Sequence, residues 1–215
     1  ALGETYGMAN IMILEPSAFS MKLLEYEFYK VRKKHKILYK LRSLKNIEEK
    51  PELSKVDIIL IDACLEDNNC GIDIAIRIKK RFPGIKIVIM SSVPECSFLK
   101  KAKSCGCDGF WYKEDEETDI VSIVDRVILG EKVFIGYKKP INIGEASLNE
   151  LTEAELVILR SFARGYTYAE VAKDCHVSEN TVRYHVKNLT SKTGLHNMAS
   201  IALEAVGKRV ILPWI

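Results

Sequence analysis

The chain has 215 residues, 47% of them hydrophobic and 28% charged, with a formal net charge of +3. That length and apolar content can bury one large core or two modest ones, and so small a charge gives no general attraction to a polyanion. No stretch approaches the roughly 20 apolar residues of a membrane-spanning helix, and ALGETYGMAN lacks the basic and apolar regions of a secretion signal, so a cytoplasmic protein with no membrane partner is expected.

Residues 1–9 read as a disordered extension or a cloning remnant, with Met8 as a natural start. From Asn10 to about Leu129, short apolar runs alternate with helical stretches. The runs are Ile11–Leu14 (IMIL), Lys36–Leu41 (KILYKL), Asp57–Asp62 (DIILID), Lys86–Met90 (KIVIM) and Gly109–Lys113 (GFWYK). Several are apolar on both faces, as strands buried in a parallel sheet are. Between them, Phe19–Lys33, Gly71–Phe82, Glu95–Ser104 and Thr118–Leu129 carry apolar residues at helical spacing. The expectation is an α/β doubly wound, five-stranded parallel sheet with five intervening helices, whose ligand site lies at the carboxyl ends of the strands.

Those strand ends supply Glu15, Asp62, Ser91 and Lys113. Two acids, a hydroxyl and an ammonium group suit the receipt of a phosphoryl group. Asp62 would be the nucleophile, Lys113 would neutralise developing charge and Ser91 would bond a phosphoryl oxygen. Polar residues also simply terminate strands, but four at four strand ends favour the site.

Asp62 after DIILI, Ser91 after KIVIM, and the stretch SCGCDGFWYK together resemble a response-regulator receiver domain over this whole segment. The resemblance implies a phosphoacceptor at Asp62, a switch aromatic at Phe110, phosphotransfer from a histidine kinase and bound Mg2+. In that family the first strand ends in two adjacent acids. Here IMILEPS puts Glu15 at the first position and Pro16 at the second. Proline offers no side-chain ligand, so Mg2+ would rest on Glu15 and Asp62, with weakened affinity, unless Glu66 or Asp67 from the longer loop ACLEDNNCG assists.

Gly130–Ser147 mixes glycine, proline and polar residues without helical periodicity and reads as a linker, 130–147. From 148 to 215 four helices are expected. Thr152 with Glu155, and Thr167 with Glu170, form capping boxes, Ser178 caps the helix starting at Glu179, and Gly165 and Gly194 fall at helix ends. Tyr168–Lys173 and Glu179–Lys192, divided by DCHVS, have a helix-turn-helix layout. In the second, Val182, Val186 and Leu189 share one face. That leaves Asn180, Thr181, Arg183, Tyr184, Lys187, Asn188 and Ser191 on or near the other, with no acid between Asn180 and Thr193. Amides, hydroxyls and bases suit base edges and phosphates in the major groove.

LTEAELVILRSFARGYTYAEVAKDCHVSENTVRYHVKNLTSKTG resembles the LuxR-type (NarL-type) helix-turn-helix domain along nearly its full length. That resemblance implies phosphate contact at His185, matches Arg183 and Lys192 to the family's basic positions, and makes Met198–Gly207 a dimerisation helix with Ile201, Leu203, Ala205 and Val206 as its apolar residues. Thr190 and Thr193 replace residues that are usually apolar.

The reading is a sequence-specific DNA-binding transcription regulator of a two-component system, a homodimer and not an enzyme. Its alternative is a regulator independent of phosphorylation, switched by a ligand, a partner protein or constitutive dimerisation. A phospho-aspartate hydrolase would need a second acid where Cys64 stands, and EPSAFS is a poor phosphate-binding loop for a flavin or nucleotide. An adaptor would use Tyr166, Tyr168 and Tyr184 on a protein-binding surface. The six cysteines show no zinc-ligand spacing. Buried thiols are the expectation, with a redox pair at Cys64 and Cys70, or Cys105 and Cys107, as the alternative.

Overall fold

A computed structural model describes residues 8–31, 34–43 and 51–215. The chain divides into two compact units, one running up to Ser92 and again over Ser97–Tyr137, the other comprising Val93–Cys96 and Lys138–Ile215.

In the first unit β1 (Ala9–Leu14), β2 (His35–Leu41), β3 (Ile58–Asp62), β4 (Lys86–Ser91), β5 (Gly109–Tyr112) and β6 (Val133–Ile135) form one sheet in the order β2-β1-β3-β4-β5-β6. Every pairing is parallel. Ile11–Leu14, Ile58–Ile61 and Ile87–Met90 are fully buried, because helices cover both faces of a parallel sheet. The helices are α1 (Ala18–Lys30), α2 (Gly71–Arg81), α3 (Phe98–Ser104) and α4 (Ile120–Ile128). Ser17 caps α1 through the Ser20 amide at 3.2 Å, and Asp119 caps α4 through Ser122 at 2.9 Å.

The doubly wound architecture is the one expected, with one strand more than the five read from the sequence. β6 lies in the stretch expected to be linker, where the apolar trio Val133–Ile135 pairs with Gly109–Trp111. Among the described residues the unit has four helices, with a 3-10 turn, Pro51–Lys55, before β3. α3 starts at Phe98 instead of Glu95, because the stretch before it is engaged elsewhere: the Cys96 amide donates to the Val210 carbonyl at 3.1 Å and the Glu95 carboxylate accepts from Arg160 and the Leu212 amide. The leading residues 1–7 lie outside the described residues.

In the second unit a hairpin of β7 (Asn142–Ile143) and β8 (Ala146–Ser147) precedes α5 (Glu153–Ala163), α6 (Tyr168–Asp174), α7 (Glu179–Thr193) and α8 (Met198–Gly207). Both expected capping boxes are present, and Ser147 with Glu150 makes a third. Leu159, Leu189, Ile201, Ala205, Val210 and Ile211 share one core, and Ile158, Val171, Ala172 and Val182 a smaller one under α6 and α7. Gly194 ends α7 with φ +68°, and the turn before α7 places His176 at φ +55°, a left-handed conformation that histidine tolerates better than most residues. Within the same unit Glu95 is buried and accepts from Arg160 and from the Leu212 amide at 2.7 Å. Among the described residues no helix is long and apolar enough to cross a membrane.

Candidate functional site

Register gathers the strand-end residues of the first unit. Leu14 pairs with Ile61, so Glu15 follows β1 beside Asp62 at the end of β3. Asp62 pairs with Met90 and Ser91 with Tyr112, which brings Ser91 and Lys113 to the same edge. The Lys113 amide donates to the Ser91 carbonyl at 2.8 Å.

Lys113 Nζ donates to both Glu15 Oε2 and Asp62 Oδ2. The second oxygens are also engaged: Glu15 Oε1 accepts from the Ser17 amide at 2.9 Å, and Asp62 Oδ1 from the Cys64 amide at 2.7 Å. Glu15 is 1% exposed and Asp62 5%. Burial, with the Asp62 charge added, pushes the Glu15 carboxyl above its usual range in spite of Lys113. Burial pulls Lys113 down, but the charges of Asp62 and Glu15 outweigh it and hold the ammonium above the usual lysine range. Beneath the acid, the first residue of α2 has to be a glycine, Gly71, because a Cβ there would sit 2.0 Å from the Asp62 carbonyl oxygen.

Ser91 is fully buried, and Phe110 lies buried in β5 between Ile89 and Phe134. Beside it in sequence, the Tyr112 ring meets Tyr137 edge-on at 5.1 Å. Sequence reading had not singled out Tyr112, although its aromatic ring at a strand end was visible.

Magnesium asks for near-octahedral oxygens and usually keeps one or two carboxylates. The donors gathered here fit it poorly. Both carboxylates are committed to Lys113, Pro16 has no side-chain ligand, and the Pro16 carbonyl accepts from Arg42 Nε at 3.0 Å, which brings a guanidinium to that corner. Glu66 is exposed in a 3-10 turn, Glu66–Asn68, and the Asp67 side chain lies outside the described residues.

In the second unit α7 is anchored by Val182 and Leu189, both fully buried, with Val186 packed alongside. Asn180, Arg183, Tyr184 and Lys187 are exposed, Tyr184 at 62%, while Thr181, Asn188 and His185 are half-buried. The Arg183 guanidinium lies 4.8 Å from the Tyr168 ring centre and 3.6 Å from Glu179. His185 packs edge-on against Tyr184 at 5.4 Å, and its Nδ1 is buried without a hydrogen-bond partner among the described residues.

Lys192 differs from the rest of the set. Its Nζ donates to Glu155 Oε2 at 2.8 Å and to the Glu150 carbonyl at 2.9 Å, so it ties the end of α7 to the start of α5. Thr190 and Thr193 return their hydroxyls to α7's own carbonyls, Thr193 to Leu189 at 2.7 Å, which is how polar residues fit where apolar ones are usual. Of the apolar residues of α8, Ile201 and Ala205 are buried in the unit's own core, whereas Leu203 is 76% exposed.

The family profile "Bacterial regulatory proteins, luxR family" matches residues 149–205. Among curated proteins, response regulator protein VraR of Staphylococcus aureus (strain Mu3) is 30% identical over 162 residues, 73% of this chain and 77% of that protein. VraR of Staphylococcus saprophyticus is 28% identical over 175 residues, 79% and 83% of the two chains. Among solved structures, the RcsB response regulator of Salmonella typhimurium gives a TM-score of 0.56 at 17% identity, covering 94% of this chain and 99% of that one. A structure of two RcsB dimers bound to two parallel DNAs gives 0.62 at 17% identity, with 93% and 98% covered. At that identity the likeness concerns the fold.

Proposed function

The chain belongs to the response-regulator family, with a luxR-type C-terminal part, and from that premise we propose that it is a cytoplasmic transcription regulator that seats α7 in the major groove of double-stranded DNA as a homodimer. The observation that carries the reading is the outer face of α7. Val182 and Leu189 hold the helix by its inner side, and the exposed Asn180, Arg183, Tyr184 and Lys187 can reach base edges and phosphates. Arg183 is already oriented by the Tyr168 ring and Glu179. Lys192 acts on DNA indirectly, by fixing the end of α7 against Glu155. Leu203, exposed on α8, and the half-buried Val206 are apolar residues of that helix available to a second copy.

The test is DNA binding by selection from random duplexes, followed across a salt series. Phosphate contacts release counterions, so affinity should fall steeply with salt. An affinity unaffected by salt and by Lys187→Ala would overturn the DNA reading and favour a protein-binding surface.

For the first unit, we propose an input that does not depend on magnesium-assisted phosphotransfer. Support comes from Pro16 at the second acid position and from Lys113, which already compensates Glu15 and Asp62. Asp62 keeps Ser91 and Lys113 beside it, so the residual capacity to accept a phosphoryl group is measurable. Intact mass after incubation with a small phosphodonor and Mg2+, with Asp62→Asn as control, decides the point. No adduct on a chain that still binds DNA supports the proposal. A single adduct that vanishes in the variant overturns it and calls for a search for a histidine kinase.

A further inference from the structure

Cys105 and Cys107 flank Gly106 in the turn between α3 and β5. The turn is fixed by the chain's own amides. Cys105 donates to the Lys101 carbonyl at 3.0 Å, Cys107 to Ala102 at 3.1 Å and Asp108 to Ile87 at 2.8 Å. Gly106 adopts φ +80° with open space around it, a bend that other residues adopt only with strain. The result is two thiol sulfurs 3.3 Å apart, held next to each other by the backbone.

The two thiols have different surroundings. Cys107 is buried, whereas Cys105 is half-exposed and lines an open groove with Ile72, Asp73, Ile76, Lys101 and Ser104. The contact with Cys107, assisted by backbone amides and the Lys79 charge, outweighs partial burial and draws the Cys105 thiol below the usual cysteine range, with its Sγ 3.4 Å from the Ala102 carbonyl oxygen. The same contact and burial push Cys107 up. Burial also raises Cys70, and pushes Cys96 up to about 12.

We propose that Cys105 and Cys107 form a peroxide-responsive dithiol in which Cys105 is oxidised first and Cys107 closes the ring. The Cys105 sulfur attacks one oxygen of a hydroperoxide. An S–O bond forms, the O–O bond breaks, and the departing oxygen takes up a proton to leave as water or an alcohol. Cys107 then gives up its proton and attacks the Cys105 sulfenic acid, forming the S–S bond, breaking S–O and releasing water. The two cysteines together lose two electrons and the peroxide gains them. The fixed turn makes the second step intramolecular between neighbouring sulfurs.

The sequence supplies a clean readout. Trypsin releases Ser104–Lys113, SCGCDGFWYK, which holds both cysteines and no other. The full chain, reduced and then treated with hydrogen peroxide, is denatured, alkylated with N-ethylmaleimide and digested. The expected peptide is lighter by two hydrogens and carries no alkyl group, and it forms about tenfold faster in the folded chain than in urea at neutral pH. In Cys107→Ser, dimedone should trap a sulfenic acid at Cys105. In Cys105→Ser, Cys107 should remain alkylatable. Two alkylated thiols in the peptide after Cys64, Cys70, Cys96 or Cys175 has been oxidised would overturn the proposal, as would equal rates with and without urea, or dimedone labelling of Cys107 in Cys105→Ser.

Discussion

Lys192 of α7 and Glu155 of α5 are joined by a 2.8 Å hydrogen-bonded ion pair, on the same carboxylate oxygen that accepts from the Thr152 amide at 2.7 Å. Glu155 is 2% exposed. One carboxylate therefore closes a helix cap and fastens the end of the proposed recognition helix. Lys192→Ala should lower stability by about 1–3 kcal/mol, the cost of leaving a buried charge-assisted acceptor without its donor. Urea unfolding followed by circular dichroism checks it. At native temperature, DNA affinity should change less than in Lys187→Ala, because Lys192 acts through position.

The same pair sets a pH dependence. Burial pushes Glu155 up, but Lys192 and Thr152 outweigh it, and its carboxyl sits below the ordinary glutamate range. The folded state then binds that proton less tightly than the unfolded state. Its contribution is complete above the unfolded pKa and is lost as pH falls through the folded one. Between neutral and acid pH, the urea midpoint of the parent chain should fall more steeply than that of Glu155→Gln. Parallel slopes would remove Glu155 from the account.

Asp62 depends on a glycine it never contacts through a side chain. A Cβ on Gly71 would lie 2.0 Å from the Asp62 carbonyl oxygen and 2.9 Å from a methyl of Ile61, so α2 could not start where it does. Gly71→Ala should destabilise the first unit by about 1–3 kcal/mol, as overpacking does. Gly84→Ala is the control, since nothing lies within 4 Å of a Cβ built there. Equal stability of the two variants would mean that β3 and α2 can part without cost.

Parallel strands explain why so much of the first unit was legible. Runs such as IMIL and KIVIM are apolar on both faces, and their carboxyl ends must share one edge, which brought Glu15, Asp62, Ser91 and Lys113 together before any coordinates. β6 was not legible, because Val133–Ile135 has three residues and no period. Lys113's grip on both acids depends on strand register and side-chain conformation, neither of which composition reveals. Lys192 shows the same limit: a base late in the acid-free stretch from Asn180 to Thr193 reads as a DNA contact, while its bond to Glu155 spans 37 residues. Capping boxes were read residue by residue because they are local in sequence.

Lys113→Met should be far more costly than a surface lysine substitution. Glu15 and Asp62 are both buried on the one ammonium group, and removing a partner from such a cluster costs about 3–5 kcal/mol. Adding Glu15→Gln removes one of the two stranded charges and should restore part of the loss. If Lys113→Met alone unfolds in urea at the parent midpoint, the ion cluster contributes nothing to the fold and the reading of Lys113 as the standing counter-charge fails.

On the proposed DNA face, Arg183 and Lys187 separate two kinds of contact. Arg183 is steadied by Tyr168 at 4.8 Å and Glu179 at 3.6 Å, which favours one orientation and hence a defined partner. No such ring or ion-pair contact is found for the exposed Lys187 among the described residues, which suits a flexible phosphate contact. Each alanine variant should weaken binding by about 1–3 kcal/mol. Lys187→Ala should do so almost equally on all sequences and reduce the salt slope by about one ion, whereas Arg183→Ala should also relax sequence preference. Anisotropy titrations on a selected site and a scrambled duplex, each across a salt series, read both quantities. If neither variant changes binding, α7 is not the element that meets DNA.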